Sequence, residues 1–177
     1  FVGIGGNIGQ YKEVKKLCDE YGLKLVLDAA HMAGTWVNKA HIGLDADVTI
    51  FSFQSVKNMP TADGGMICFE NKDYDVLARK LSWLGIDKGS YRWDYDVIDL
   101  GFKAHGNSVM AAMGLVALKY LEEDNEKRRA VCNLYDKGFE GNKLIKPVLH
   151  NSDCTSSRHL YQIRVADRNG IMEYLNA

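Results

Sequence analysis

The stretch VTIFSFQSVKNMPTADGGMICFE, residues 48–70, carries the pattern that decides the fold prediction. It contains two short apolar runs, at 48–53 and 64–70, rich in the β-branched and aromatic residues typical of strands. A polar loop joins the two runs, and Lys57 lies in it, five residues after Ser52. The pattern predicts two short strands with a lysine in the loop between them.

The segments before and after this stretch alternate between helical and strand patterns. Residues 10–21 predict a helix that Gly22 ends, and Asn71 is the predicted N-cap of another helix. The run 23–27 predicts a short strand, with Asp28 at its carboxyl end. In the first helix the predicted apolar face consists of Tyr11, Val14, Leu17, Cys18 and Tyr21, and in the second of Tyr74, Leu77, Ala78, Leu81 and Leu84.

The second half of the chain continues this alternation. Residues 85–96 predict a long polar and aromatic loop, and a helical pattern runs from residue 107 or 108 to about 141. The charged run EEDNEKRR within it indicates a helix break or a solvated face. Residues 159–165 predict a strand, after which a new helix starts. Helices alternating with short apolar strands predict an α/β domain with a mostly parallel sheet.

Composition excludes several classes of function. With 177 residues, 46% of them hydrophobic and 25% charged, the chain predicts an ordinary globular protein of one domain or slightly more. A net charge of −1 gives no reason to expect nucleic acid or a membrane surface as partner, and no apolar run is long enough to span a bilayer. The four cysteines form no C-x-x-C pair, which predicts reduced, mostly buried thiols in a cytoplasmic protein without a metal site.

The two ends of the sequence suggest a piece of a longer protein. FVGIGG resembles the end of a strand entering a loop, and IMEYLNA resembles the first turns of a helix. The opening glycines, at 3, 5, 6 and 9, do not have the spacing of a dinucleotide or phosphate-binding loop. We therefore interpret this glycine-rich start as a turn that leads into the first helix.

Two polar groups follow predicted strands. In open α/β sheets, ligands bind beyond the carboxyl ends of the strands. Asp28 and the Ser52–Lys57 loop both lie at such ends, so a carboxylate, a hydroxyl and an amine are expected to converge on one crevice. Placement alone leaves plainer interpretations open, namely a helix-capping aspartate and a solvated lysine.

A wider set of motifs resembles a known enzyme family. DAAH (28–31), AG (33–34), IGLDAD (42–47), FSFQSVK (51–57) and ADGG (62–65) follow one another in the family's order, and LGFKAHGNSVMAAMGLVALKYLEE (100–123) matches a further family segment. In these motifs the chain is similar to the DegT-type (DegT/StrS) pyridoxal-phosphate-dependent sugar aminotransferases. The similarity covers about residues 10–130.

The resemblance implies a fold and an assembly. The fold would be the PLP-dependent transferase fold type I, a three-layer α/β/α arrangement followed by the start of a small C-terminal α+β domain. Residues 1–121 would belong to the large PLP-binding domain, and 122–177 to the connecting helix and part of the small domain. The partners implied are an amino donor, a nucleotide-linked keto-sugar and a second copy of the chain that shares the active site.

The resemblance also implies roles for five residues. Lys57 would form the Schiff base with pyridoxal 5′-phosphate and then move a proton as the catalytic residue. Asp28 would keep the pyridine nitrogen protonated, and Ser52 would bind the coenzyme phosphate. His31 would lie near the ring's 3-oxygen or, alternatively, be a core histidine satisfied by backbone. Lys103 would reach the phosphate across a dimer interface or, alternatively, be a solvated lysine.

Departures from the family pattern concern the substrate more than the coenzyme. ADGG (62–65) stands in place of the more usual GEGG, His105 replaces a frequent arginine, and Gly106 replaces a common methionine. Because Lys57 is not the histidine found in a dehydratase branch, the sequence favours transamination over deoxygenation. The predicted activity is amino transfer, with glutamate as expected donor, to a nucleotide-linked keto-sugar. A lyase, a cyclitol aminotransferase and a non-catalytic scaffold stay open as alternatives.

Overall fold

A computed structural model of the protein describes residues 1–88 and 91–177. Four α-helices lie in this part of the chain, at α1 (Tyr11–Tyr21), α2 (Lys72–Leu81), α3 (Ser108–Gly138) and α4 (Arg168–Asn176). The strands are β1 (Val26–Asp28), β2 (Trp36–Val37), β3 (Ala40–His41), β4 (Val48–Ser52), β5 (Gly65–Phe69), β6 (Ile86–Asp87), β7 (Asp96–Val97), β8 (Ile145–Pro147), β9 (Cys154–Thr155) and β10 (Ile163–Val165). Short 3₁₀ turns occupy Ile4–Gly6 and Arg92–Asp94.

The sheet that organises the molecule has the order β1-β4-β5. β1 runs parallel to β4, with Asp28 opposite Ile50, and a parallel bridge joins Val2 to Asp28. β5 returns antiparallel to β4, with Gly65 opposite Ser52. This mixed sheet, with one parallel and one antiparallel pairing, together with the helices confirms the α/β prediction. The remaining strands form three small antiparallel sheets, β3-β2-β9, β6-β7 and β10-β8.

The first strand is shorter than its apolar run predicts and begins later. The backbone N–H of Leu23 is taken by the carbonyl of Cys18, which closes the end of α1. The N–H of Leu25 is taken by the Asp47 side chain at 2.8 Å. Both donors are therefore unavailable to a ladder, and β1 starts at Val26 and includes Asp28 as its last residue.

One apolar cluster forms the core beneath this sheet. Its buried members are Ile8, Tyr11, Cys18, Leu25, Leu27, Ala29, Met32, Ile42 and Ala46, and Val14 packs against them. Helix α1 thus contributes residues 11, 14 and 18 to the core, as predicted, whereas Leu17 and Tyr21 are 51% and 69% exposed. The predicted five-residue face was too broad, because residues 17 and 21 lie beside the stripe that faces the sheet.

Helix α2 confirms its predicted cap but not its predicted apolar face. The Asn71 side chain accepts a hydrogen bond from the N–H of Asp73, as an N-cap does. The helix ends at Leu81, and Leu84 has a left-handed φ of 62° outside it. None of its residues is fully buried, and Tyr74 and Leu77 are 48% and 42% exposed.

Helix α3 runs without interruption through the charged segment EEDNEKRR. The sequence left two predictions open for this segment, a helix break or a solvated face, and the continuous helix supports the solvated face. Asn125 within the segment is nevertheless fully buried. No helix in residues 1–88 or 91–177 has both the length and the apolarity to cross a membrane.

Three further predicted elements differ from their sequence patterns. The predicted loop 85–96 contains the antiparallel pair β6–β7, although residues 89 and 90 lie outside the described part. The predicted strand 159–165 is reduced to β10, because only residues 163–165 pair with β8. The predicted thiol burial holds for Cys18 and Cys132, while Cys154 is half-buried and Cys68 is exposed.

The segment after α3 returns to the core. β9 pairs with β2, and the N–H of Ser157 donates to the Thr35 hydroxyl at 3.0 Å. The predicted division between residues 121 and 122 falls inside the continuous helix α3. A domain boundary at that position stays a prediction.

At Gly22, the left-handed backbone conformation is the reason why glycine is favoured over other residues. It ends α1 with φ 64°, and its N–H bonds the Cys18 carbonyl, as predicted for a glycine C-cap. A Cβ added there meets no atom within 4 Å. We expect Gly22→Ala to lower the free energy of unfolding by about 1–2 kcal/mol through left-handed strain alone, measured by urea titration.

Gly138→Ala is the matched control for this measurement. Gly138 also has open space around its added Cβ, but it lies in α3 without a positive φ. Alanine is the better helix former, so this variant should be neutral or more stable by up to about 1 kcal/mol. Equal losses in the two variants would contradict the conformational explanation.

Candidate functional site

Asp28 and Ser52 stand at neighbouring strand ends. Both close their strands, and since Asp28 is opposite Ile50, Ser52 lies two residues further along the adjacent strand. The Asp28 carboxylate is half-buried and accepts a hydrogen bond from the Ala30 N–H at 3.0 Å, which forms a local Asx turn rather than a helix cap. The structure thus gives Asp28 and Ser52 the placement that the sequence predicts.

Backbone hydrogen bonds close the loop that carries Lys57. The N–H of Phe53 donates to the Gly64 carbonyl at 2.9 Å, and the N–H of Thr61 donates to the Phe53 carbonyl at 2.8 Å. Within the loop, the Lys57 N–H donates to the Gln54 carbonyl at 2.9 Å. Lys57 itself is half-buried, and its role stays a prediction.

The pKa of His31 depends on burial and on two neighbouring charges. Burial is the main cause that lowers the pKa of His31, the Lys57 ammonium lowers it further, and the Asp28 carboxylate opposes them. Among the predicted site residues, Lys57 and Asp28 thus influence the charge of a third, His31.

The hydrogen bond that His31 accepts determines which of its two ring nitrogens carries the proton. The N–H of Gly5 donates to His31 Nδ1 at 3.2 Å. In a neutral imidazole this bond assigns the proton to Nε2, which is then a donor. The backbone partner agrees with the core-histidine interpretation, and the Nε2 donor agrees with a role beside an oxygen. The hydrogen bonding of His31 is therefore compatible with both interpretations.

A second histidine, His159, stacks on His31 and was not predicted. The two ring centroids are 4.5 Å apart with planes inclined by 34°. Burial, followed by His31 and Lys57, lowers the pKa of His159 to about 4. Its chain segment is anchored to the same turn, because Ser157 Oγ donates to the His31 carbonyl at 2.7 Å. The sequence offered only a histidine at the head of a predicted strand, which carries no functional signal.

Two buried asparagines next to the site were also missed. Asn58, which follows Lys57, donates through Nδ2 to Asn125 Oδ1 at 2.7 Å and to the Ser157 carbonyl at 3.1 Å. Asn125 Nδ2 donates to the Ala33 carbonyl at 3.0 Å. A neutral residue inside the run EEDNEKRR is the one signal that could have indicated a buried position there.

Lys103 belongs to a different cluster. It forms an antiparallel bridge with Trp83, and its ammonium lies 3.9 Å from the centroid of the Trp83 ring. Lys88 lies 4.1 Å from the same centroid, and His105 contacts that ring edge-on. A cavity of about 760 Å³ opens beside Trp83, Lys88 and His105. The described contacts of Lys103 are with Trp83, so its predicted role stays a prediction.

Comparisons with known proteins identify relatives along the whole chain. The family model of the DegT/DnrJ/EryC1/StrS aminotransferase family matches residues 1–177. A UDP-4-amino-4,6-dideoxy-N-acetyl-beta-L-altrosamine transaminase from Campylobacter jejuni is 36% identical over 162 residues, which are 92% of this chain and 43% of that protein. The chain spans less than half the length of this relative.

Solved structures show the same fold. The aminotransferase TlmJ from Streptoalloteichus hindustanus superposes with a TM-score of 0.92 and 31% identity, over 99% of this chain and 48% of that one. Spr1654 from Streptococcus pneumoniae in its PLP-form gives a TM-score of 0.88 and 28% identity, over 99% of this chain and 50% of that one. These matches confirm the predicted fold class.

The stacked histidines should make the protein less stable in acid. The pKa of His159 falls from 6.5 in the unfolded chain to about 4 in the folded one, so the fold favours the neutral ring. This contribution to stability is fully present above about pH 6.5 and is lost as the pH falls toward 4. We expect His159→Gln to flatten the decline of Tm between those two pH values.

His150→Gln serves as the comparison for this measurement. His150 also has its pKa lowered to about 4, by burial and by Arg158, with Asp136 opposing. Its substitution should flatten the same window by a separate amount, so the double variant should be flatter than either single one. A decline of Tm in His159→Gln as steep as in the unsubstituted protein would contradict the assignment.

Proposed function

Since the chain belongs to the DegT/DnrJ/EryC1/StrS aminotransferase family, we propose that it forms part of a pyridoxal-phosphate-dependent aminotransferase. The proposed reaction transfers an amino group, with glutamate as donor, to a nucleotide-linked keto-sugar. The observation that carries this proposal is the placement of Asp28 and of the loop bearing Lys57 at the carboxyl ends of the parallel strands β1 and β4. The transaminase named among the relatives acts on a sugar nucleotide, which supports the substrate class.

The side chains present fit the chemistry of this coenzyme. An aldehyde needs an amine, a protonated pyridine nitrogen needs a carboxylate, and a phosphate needs hydroxyl and cationic partners. Lys57 supplies the amine, Asp28 the carboxylate and Ser52 the hydroxyl, and all three are half-buried. When bound, the coenzyme provides the electron sink that stabilises negative charge on the substrate carbon.

Each residue then has a defined task. With the coenzyme bound, Lys57 would hold it covalently and, once released as a free amine, would take up the proton that leaves the substrate carbon. Asp28 would pair with the pyridine nitrogen and favour its protonated form. His31, with its proton on Nε2, would donate toward the ring's 3-oxygen, while the Gly5 N–H donates to the other nitrogen. Ser52 would donate its hydroxyl to the phosphate.

The proposal includes a homodimer with a shared active site. Lys103 would supply positive charge to the phosphate bound by the other copy. Apolar side chains stand exposed beside it, with Leu100 at 83% and Phe102 at 71%, and contiguous exposed apolar surface is typical of an interaction site. The same surface could face a scaffold partner instead, and the spectral experiment below separates a catalytic from a non-catalytic protein.

Lys57→Ala tests the proposed function most directly. The natural protein at its full length should absorb in the visible with bound coenzyme, and Lys57→Ala should lose that band because no amine is left to bond the aldehyde. Lys119→Ala, which removes an exposed lysine from α3, should keep the band. A protein whose spectrum does not change when pyridoxal phosphate is added would overturn the proposal.

Asp28→Asn separates coenzyme binding from catalysis. The amide cannot hold a proton on the pyridine nitrogen by charge, while the covalent bond to Lys57 does not depend on it. We expect the visible band to persist and the rate of amino transfer to fall by about a hundredfold or more, the scale of a lost preorganised electrostatic contact. Single-turnover kinetics with amino donor alone would measure this, and an unchanged rate would remove Asp28 from the mechanism.

A further inference from the structure

Asn125 is buried at a point where helix α3 otherwise faces solvent. Its side chain has no exposure, whereas the adjacent Glu126 is exposed and Asp124 is half-buried. Burying an amide is costly unless each of its polar atoms finds a partner. The position of Asn125 therefore requires specific contacts, and those contacts lead to the loop of Lys57.

Both ends of the Asn125 amide bind segments that are distant in sequence. Oδ1 accepts from Asn58 Nδ2 at 2.7 Å, and Nδ2 donates to the Ala33 carbonyl at 3.0 Å. A carbonyl can only accept, so the Ala33 contact fixes which end of the amide faces which partner. One side chain thus joins the residue after Lys57 to the turn that carries His31.

The backbone around Asn125 is shaped to admit it. Gly34 has φ 78°, and a Cβ added there would lie 2.2 Å from Asn125 Nδ2. Only glycine allows both this conformation and this approach. Asn58 also donates to the Ser157 carbonyl, and Ser157 Oγ donates to the His31 carbonyl. The contact is therefore part of a hydrogen-bond network that includes the segment bearing His159.

We propose that Asn125 is a positioning residue for Lys57, which it holds at its working place through the hydrogen bond to Asn58. This inference rests on the proposed function of Lys57. For stability alone, an apolar pair of the same volume would serve as well as two buried amides. Directional bonds, by contrast, fix the backbone beside Lys57, and a displacement of about 1 Å at a reacting group can cost about a hundredfold in rate.

The experiment measures the reactivity of Lys57 instead of enzyme turnover. Pyridoxal phosphate is added to the cofactor-free natural protein at its full length, and borohydride then reduces the product to a stable lysine adduct. Peptide mass spectrometry gives the labelling of Lys57 relative to Lys119, an exposed lysine on the same helix as Asn125. This ratio removes effects that act on all lysines alike.

Asn125→Leu keeps the branched shape of the side chain and removes both hydrogen bonds. We expect the Lys57 to Lys119 ratio to fall by about tenfold or more, and the pH midpoint of Lys57 labelling to move. Asn133→Leu is the matched control, because Asn133 is an exposed asparagine of the same helix, and its ratio and pH profile should equal those of the unsubstituted protein.

Asn125→Asp distinguishes positioning from a general structural role. Burial raises the pKa of such a carboxyl, and the neutral acid can accept from Asn58 while it donates to Ala33. The Asn125→Asp variant should therefore recover most of the Lys57 to Lys119 labelling ratio. If Asn125→Leu does not fold, the ratio in Asn125→Asp is the measurement that tests the inference. Selective labelling of Lys57 in the unsubstituted protein with equal labelling in both Asn125 variants would overturn the inference alone. A lack of selective labelling in the unsubstituted protein would overturn the proposed function.

Discussion

The parallel pairing of β1 with β4 is the constraint on which the site depends. Because the strands run in the same direction, both release their chains at the same edge, and Asp28 comes beside the strand that leads to Ser52 and Lys57. An antiparallel pairing would send the two loops to opposite ends of the sheet. The crossover between these strands holds the small hairpin β2–β3, to which β9 adds a third strand. The parallel pairing thus places the carboxylate and the lysine at one edge of the sheet. The crossover it requires carries β2, with which β9 pairs.

The charges around this edge favour an anionic ligand. Lys57 and Arg128 both act on His159, and only Asp28 opposes Lys57 at His31. The two histidines add no positive charge near neutral pH, since burial favours their neutral forms. Lys57, Arg128 and Asp28 are thus the charged groups that act on these two rings. A phosphate-bearing coenzyme would enter a field of suitable sign without requiring a change in histidine protonation.

Local sequence patterns predicted the elements that depend on local chemistry. Gly22 and Asn71 cap helices by contacts within a few residues, so their roles could be read directly. The strand ends were also predicted to within about one residue of Asp28 and Ser52, because the apolar runs stop near these positions. What the sequence could not provide were contacts between distant segments, such as the stacking of His159 on His31 and the amide pair of Asn58 and Asn125.

The excessively broad faces of α1 and α2 have a related cause. Hydrophobic periodicity tells which residues share a side of a helix, but not how much of that side the rest of the fold covers. Tyr21 and Tyr74 lie on the predicted faces and are nonetheless exposed. Similarly, the charges of EEDNEKRR correctly predicted a solvent-exposed segment, but they gave no indication that its neutral residue, Asn125, is buried.

The uninterrupted course of α3 has a consequence for chimeric proteins. A natural place to exchange halves between relatives would be the junction near residues 121 and 122, where the large domain was predicted to end. A crossover there would inherit Asn125 from one parent and its partners, Asn58 and Ala33, from the other. Gly34 and Asn125 must then match across the seam, because the helix reaches that closely to the turn. Recombination within this family should therefore keep residues 33–125 together from one parent.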